Sequence, residues 1–301
     1  MWVSRKRKIM DIAVSNIIAA YPSTTVKALC DTIMKTGKRK IPVINEKKNV
    51  KGIVTSTDIV NYFGGGPKYE VIKKEYKDNF LSAINAEVSK IMTKNVLCVD
   101  ENESADSVAE KFLHHYFGGM PVVNEDNVMV GFITEYDFLS PLAGENFRFP
   151  VRNAMTKKVI TITPNTTIKD ASRIMIANKL RRLPVITEGT IVGMLRAHEI
   201  LKFISHGDFA KFHTSKAEVI LSDPASDVMT KEFYVVDEEL DIGEVIRLAK
   251  EKRMGGFPVV RGDKLIGLIT ERDVFNAIYS TLRAHFPKKF NEIVYTLFTE
   301  K

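Results

Sequence analysis

Four places in the chain set a hydroxyl or cationic side chain three positions before a carboxylate: Thr55 and Asp58, Thr134 and Asp137, Arg196 and Glu199, Thr270 and Asp273. A threonine hydroxyl just before a helix, near its free amides and the positive end of its dipole, suits a phosphate oxygen. An aspartate three residues later is ionised and can accept two hydrogen bonds from the vicinal hydroxyls of a ribose. Together they fit a nucleotide. The same residues could also serve only as a helix cap. Capping alone would accept Ser or Asn at either place, so three intact Thr/Asp copies favour a ligand. Arg196 cannot accept a hydrogen bond and is much larger than threonine, and Glu199 carries its carboxylate one methylene further out. That position is expected to be empty or altered. The alternative is that Arg196 reaches across to phosphates bound at a neighbouring site.

The elements that must position these pairs repeat four times. The dipeptides Pro42-Val43, Pro121-Val122, Pro184-Val185 and Pro258-Val259 anchor an alignment that is gapless up to the proline. Seventeen residues before each proline stand Thr25, Ser104, Thr167 and Asp241, all good helix N-caps. Apolar residues then recur along one helical face: Val26, Leu29, Ile33 in the first copy, and Ile168, Ala171, Met175 in the third. After each proline come a β-branched run, a polar turn and Gly52, Gly131, Gly193 or Gly267, which reads as a hairpin. The proline-to-glycine step is 10, 10, 9 and 9, so only the turn varies. A second apolar helix starts at each Thr/Asp pair. Each unit reads strand, helix, strand, strand, helix, an α/β (α+β) pattern of about 60 residues that is too small to be stable alone, so repeats should pair.

Three and two residues before proline, odd and even copies differ. Arg39-Lys40 and Arg181-Arg182 give basic edges, whereas Gly118-Gly119 and Gly255-Gly256 give glycine edges. Basic side chains there could neutralise phosphates, and glycines could let a backbone approach a ligand. A solvated basic turn opposite a glycine helix stop accounts for the same residues.

Composition excludes several classes. With 301 residues, 45% hydrophobic and 27% charged, the chain is an ordinary folded protein. No apolar run approaches a membrane span, and the basic start from Ser4 to Lys8 is not followed by a signal-type segment, so a cytoplasmic location is expected. Cys30 and Cys98 read as small hydrophobes, without a disulfide framework. His206 and His213, and His114-His115, lack the spacing of a zinc site, so no metal is expected. The net charge of +7 alone decides nothing about nucleic acid, and no RNA-binding signature accompanies it. Gly64-Gly65-Gly66-Pro67 lacks the end of a P-loop and reads as a flexible linker. No catalytic constellation recurs, and no catalytic domain is left once the repeats are counted; the chain is not expected to be an enzyme.

This pattern of helix, Pro-Val hairpin and Gly-apolar-apolar-Thr-x-x-Asp resembles the cystathionine-β-synthase (CBS) repeat. Four copies resemble two Bateman modules forming a disk, similar in architecture to the nucleotide-sensing γ subunit of AMP-activated protein kinase; no kinase activity is implied. The copies would span 9–62, 86–140, 149–203 and 223–280, with modules 1–147 and 148–301. The resemblance implies a non-catalytic sensor without a cofactor, taking AMP, ADP or ATP between paired repeats. Adenine would be read beside the residues preceding proline: Ile41, Met120, Leu183 and Phe257. Thr55, Thr134 and Thr270 would hold phosphates, Asp58, Asp137 and Asp273 the riboses, and Arg39, Lys40, Arg181 and Arg182 the shared charge. S-adenosylmethionine or methylthioadenosine is the runner-up ligand, and a ligand-free adaptor the other class. The partners implied are an adenine nucleotide and an unidentified regulated protein, with monomer and homodimer of disks both open; a membrane partner is not expected and nucleic acid is disfavoured.

Overall fold

Each expected N-cap accepts a backbone hydrogen bond inside the first turn of its helix. Thr25 caps α1 (Val26–Thr36), Ser104 caps α5 (Ala105–His114), Thr167 caps α7 (Ile168–Ala177) and Asp241 caps α11 (Ile242–Lys252). The distances run from 2.9 to 3.3 Å. The computed structural model describes residues 8–115, 117–207 and 216–282. Ser4 to Arg7, His213 and the chain beyond Leu282 lie outside the described residues.

A hairpin follows each of these helices: β1 (Lys40–Ile44) with β2 (Val50–Thr55), β4 (Gly119–Val123) with β5 (Met129–Thr134), β6 (Arg182–Thr187) with β7 (Thr190–Arg196), and β9 (Gly256–Arg261) with β10 (Lys264–Thr270). The second helices are α2 (Ser56–Phe63), α6 (Glu135–Leu139), α8 (Ala197–His206) and α12 (Glu271–Asn276). The expected leading strand is short. It is β3 (Val99–Asp100), parallel to β4, in repeat two and β8 (Val236–Asp237), parallel to β9, in repeat four. In repeats one and three it shrinks to single parallel bridges, Ala20 to Val43 and Ile162 to Val185. The connectors hold α3 (Tyr69–Tyr76) and α4 (Phe80–Ile84), then α9 (Ala217–Ile220); α10 (Ala225–Val228) opens repeat four. Among the described residues, no helix is long and apolar enough to cross a membrane.

The chain folds into two compact units. One comprises residues 18–96 and 160–233, the bodies of repeats one and three; the other comprises 1–17, 97–159 and 234–301, the bodies of repeats two and four. The units are therefore interleaved along the chain, whereas 1–147 and 148–301 follow the order of the repeats. Apolar helical faces account for this grouping, because a single repeat cannot cover its own. In the unit of repeats one and three, Val26, Leu29 and Ile33 of α1 are buried in one cluster with Ile168, Ala171 and Met175 of α7. In the other unit Phe112, Phe138 and Phe275 meet edge-on, with ring centroids 5.8–5.9 Å apart.

The four marker glycines have a packing role that the repeat pattern did not reveal. A Cβ on Gly52, Gly193 or Gly267 would lie 2.7, 2.6 or 2.5 Å from the sulfur of Met92, Met229 or Met155, and one on Gly131 would lie 3.3 Å from that of Met10. These methionines sit in the leading segments of the repeats. Four residues beyond Met10, and one beyond each of the others, the segment exchanges two backbone hydrogen bonds with the hairpin, as Thr93 does with Ile53 and Val14 with Phe132. Each leading segment thus packs on the hairpin of its neighbour in the chain: repeat two's on one, one's on two, four's on three and three's on four.

Gly64 to Gly66 corrects the expectation of a flexible linker. A Cβ on Gly64 would fall 2.2 Å from Cβ of Ser172 on α7, and one on Gly66 2.4 Å from Oδ1 of Asn61. The glycines are there because neighbouring atoms leave no room for side chains. Cys30 and Cys98 are not joined in a disulfide, and burial pushes the Cys30 thiol up to about 12.

Candidate functional site

The hairpin joins the pieces that the sequence separates. Lys40 pairs with Thr55, Gly119 with Thr134, Arg182 with Arg196 and Gly256 with Thr270. The residue two before proline therefore stands across the ladder from the first residue of each candidate pair. One position earlier, a carbonyl accepts the first amide of the second helix: Arg39 from Ser56 at 3.0 Å, Arg181 from Ala197 at 2.9 Å and Gly255 from Glu271 at 3.2 Å. Basic or glycine edge and candidate pair meet at the same end of each hairpin.

All three Thr/Asp pairs form capping boxes. Thr55 Oγ1 donates to Asp58 Oδ2 at 2.6 Å, and the Thr55 amide donates to the same oxygen at 2.7 Å. Thr134 and Asp137 repeat this at 2.6 and 2.7 Å, and Thr270 and Asp273 at 2.7 and 2.8 Å. Oδ2 locks the turn and holds the carboxylate at a half-buried position, and the threonine's one hydroxyl proton is given to that bond. Such an anchored acceptor needs no reorganisation to take donors from a ligand.

In repeat three the altered pair closes on itself. Glu199 is long enough to reach the Arg196 amide at 2.9 Å, and the guanidinium lies along both carboxylate oxygens. Glu199 is buried, and its acceptors are engaged by Arg196. The ion pair gives a physical reason for the expectation of an altered site. In repeat one the ammonium of Lys68 bonds Asp58 Oδ1, a contact that the repeat pattern could not supply because Lys68 lies in the connector.

The two units differ in charge at these positions. Arg39, Lys40, Arg181, Arg182 and Arg196 all belong to the unit of repeats one and three. Burial lowers the His198 imidazole from its ordinary value, Glu199 opposes that shift, and Arg196, Lys202 and Arg39 reinforce it. In the unit of repeats two and four the corresponding helix starts carry Glu135 and Glu271. Glu135, 5% exposed, is ion-paired at 2.6 Å with Arg272 Nε, and Arg272 also donates to the Phe112 carbonyl. Burial raises the Tyr136 phenol, and the charges of Glu271 and Asp137 raise it further.

The residues preceding proline, Ile41, Met120, Leu183 and Phe257, are all buried, so only their main chain can face a ligand. A small pocket beside Phe257 is lined by Tyr136, Leu139, Val245, Gly255 and Glu271, bringing repeats two and four together around an apolar floor with an acidic edge. One set of residues was missed at the sequence level. Leu97, Ile160 and Tyr234, 24 residues before their prolines, are exposed by 37, 37 and 47%, although the residue two places on, Val99, Ile162 or Val236, is buried in each case. The alignment that found the N-caps also carries them, with Ile18 as the fourth, but an apolar residue beside a strand reads as core until its exposure is known.

The family model for the CBS domain matches residues 9–65, 88–144, 151–206 and 225–280. The uncharacterised protein MJ1225 of Methanocaldococcus jannaschii is 34% identical over 272 residues, which is 89% of this chain and 97% of that protein. Its crystal structure, described as that of a proposed archaeal homologue of γ-AMPK, matches with a TM-score of 0.84 at 33% identity, over 89% of this chain and 99% of the other. A 33.4 kDa protein from a ribosomal RNA operon of Thermofilum pendens is 24% identical over 265 residues, 87% of this chain and 88% of its own. A conserved protein of Pyrococcus horikoshii shares the fold, with a TM-score of 0.57 and 19% identity over 90% and 99% of the two chains. Four matched repeats, and a relative aligned over nearly its whole length, place this chain in the CBS domain family.

Proposed function

We propose that this protein is a non-catalytic regulator that binds adenine nucleotides, AMP, ADP or ATP, at the Thr/Asp ends of its repeats and acts as an energy or metabolite sensor. The observation that carries the reading is the set of fixed carboxylates in capping boxes, Asp137 and Asp273 above all, each beside a hairpin edge. In this role the aspartates take ribose hydroxyls, and Thr134 and Thr270 exchange the hydroxyl bonds they now give Asp137 and Asp273 for bonds to phosphate when the ligand binds. Within the unit of repeats one and three, Arg39, Lys40, Arg181 and Arg182 supply positive charge and the exposed Ile160 an apolar face to a base; in the other unit Leu97 and Tyr234 offer such faces. A ligand that binds one conformation more tightly shifts the population and so the affinity for a regulated partner. The proposed homologue relationship of MJ1225 to γ-AMPK is in keeping with this class of function.

A second reading has its own observation. Repeats two and four carry glycine edges with Glu135 and Glu271, not cations, which suits an adenosine ligand of lower negative charge, such as S-adenosylmethionine or methylthioadenosine.

Titration calorimetry with AMP, ADP, ATP and S-adenosylmethionine on the native protein and on Asp273→Asn tests the reading. Asparagine retains an oxygen for the cap but loses the charge, so the variant should melt close to the native protein and bind about tenfold or more weakly at that repeat. Unchanged affinity at every site would remove the ribose role from Asp273.

A further inference from the structure

Asp58 differs from the other two aspartates in what has been brought to it. Its Oδ2 takes the Thr55 amide and hydroxyl, and its Oδ1 takes the Lys68 ammonium. The same ammonium donates to the Ile91 carbonyl. The Lys68 and Asp58 side chains are only 24 and 16% exposed, so this is no loose surface pair.

The backbone that delivers the lysine is also fixed. The Lys68 amide donates to Asn61 Oδ1 at 2.8 Å, Pro67 restricts the residue before it, and Gly64 and Gly66 press against Ser172 and Asn61. Lys68 then starts α3, which leads along the connector. A short strap, rigid at both ends, therefore sets an ammonium on the carboxylate that would receive a ribose.

We propose that Lys68 is an internal competitor that keeps repeat one closed to a diol-bearing ligand until the ligand displaces it. This rests on the nucleotide reading above. A ribose offers neutral donors, whereas Lys68 offers a charge-assisted bond that must be broken first. Repeat three reaches the same closed condition through Arg196 on Glu199, so both carboxylate positions of this unit are held by cations of the chain itself. Displacement at repeat one has a further consequence, because the same ammonium donates to the Ile91 carbonyl: a ligand seated there also frees that carbonyl, in the leading segment of repeat two.

The test compares native mass spectra and calorimetric titrations with AMP for the native chain, Lys68→Met, and Lys68→Met combined with Asp58→Asn. Lys68→Met should bind one AMP more than the native chain, or bind one AMP about tenfold or more tightly, and the added Asp58→Asn should remove that gain. Lys68→Gln serves in the same comparison if the methionine variant does not fold. Equal stoichiometry and affinity in the native and folded Lys68 variants would overturn the proposal, including the case in which neither binds. A gain that survives Asp58→Asn would overturn it as well. The nucleotide reading is judged separately, by the native chain: if it binds no adenosine ligand at any repeat, that reading fails, whereas the role of Lys68 is read from the difference between chains.

Discussion

Gly267 and Met155 stand so close that the Cβ the glycine lacks would lie 2.5 Å from the methionine sulfur, while the nearest backbone atom, the Thr156 carbonyl oxygen, would be 3.3 Å away. The steric conflict in Gly267→Ala is thus mainly with a flexible side chain. The substitution should lower stability by about 1–3 kcal/mol, as overpacking does. Combining it with Met155→Ala should cost less than the two single changes added together. At Gly52 the corresponding Cβ would meet the Thr93 carbonyl oxygen at 2.9 Å as well as Met92, so Met92→Ala should give Gly52→Ala less relief. Denaturant midpoints for the two double-mutant cycles check this.

The ion pair between Glu135 and Arg272 ties the second helix of repeat two to that of repeat four inside one unit. Glu135 is almost fully buried and the Arg272 side chain is 22% exposed. Arg272→Met would leave the carboxylate without its cation and should destabilise the unit by about 2–4 kcal/mol, most of it the penalty on the remaining charge. Adding Glu135→Gln should recover a good part of that loss. Thermal melts of the singles and the double distinguish this from a simple packing defect, which the second change would not repair.

The repeat frame, the N-caps, the helical stripes and the hairpins were legible in the sequence because each rests on local chemistry recurring at fixed spacing: Thr25 caps α1 as Thr167 caps α7, four turns of sequence pattern giving four similar elements. The candidate pairs and the edge residues were legible for the same reason. What stayed hidden depends on contacts far apart in the chain. The reason for Gly52 lies at Met92, and the closure of Asp58 lies at Lys68, in the connector and outside the repeat pattern. The grouping of repeats one with three and two with four follows from which apolar faces cover each other, and all four stripes look alike in sequence.

His198 gives the unit of repeats one and three a predictable response to acid. Its folded value is depressed, first by burial and then by Arg196, Lys202 and Arg39, with Glu199 acting the other way. A depressed histidine binds fewer protons folded than unfolded, so the stability it contributes is complete above the unfolded value of roughly 6.5 and is lost as pH falls towards the folded value. Melting temperatures measured from pH 8 to 5 should therefore fall more steeply for the native chain than for His198→Gln. Parallel curves would show that some other group governs the acid limb.

Repeat three offers the opposite manipulation to removing a site. Arg196→Thr alone would leave Glu199 buried with its cation gone, and Glu199→Asp alone would leave the guanidinium to follow a shorter carboxylate, so each single change should destabilise. The double change Arg196→Thr with Glu199→Asp restores the composition of the capping boxes at Thr134/Asp137 and Thr270/Asp273, whose hydroxyl-to-carboxylate bonds are 2.6 and 2.7 Å. It should be more stable than the sum of the singles predicts. If the Thr/Asp pair is what a ribose needs, the double variant should also bind one more AMP than the native chain, seen in native mass spectra. A restored cap with no added ligand would separate the two roles, leaving the pair as a helix cap in this repeat and making the edge residues Arg181 and Arg182 the next to exchange.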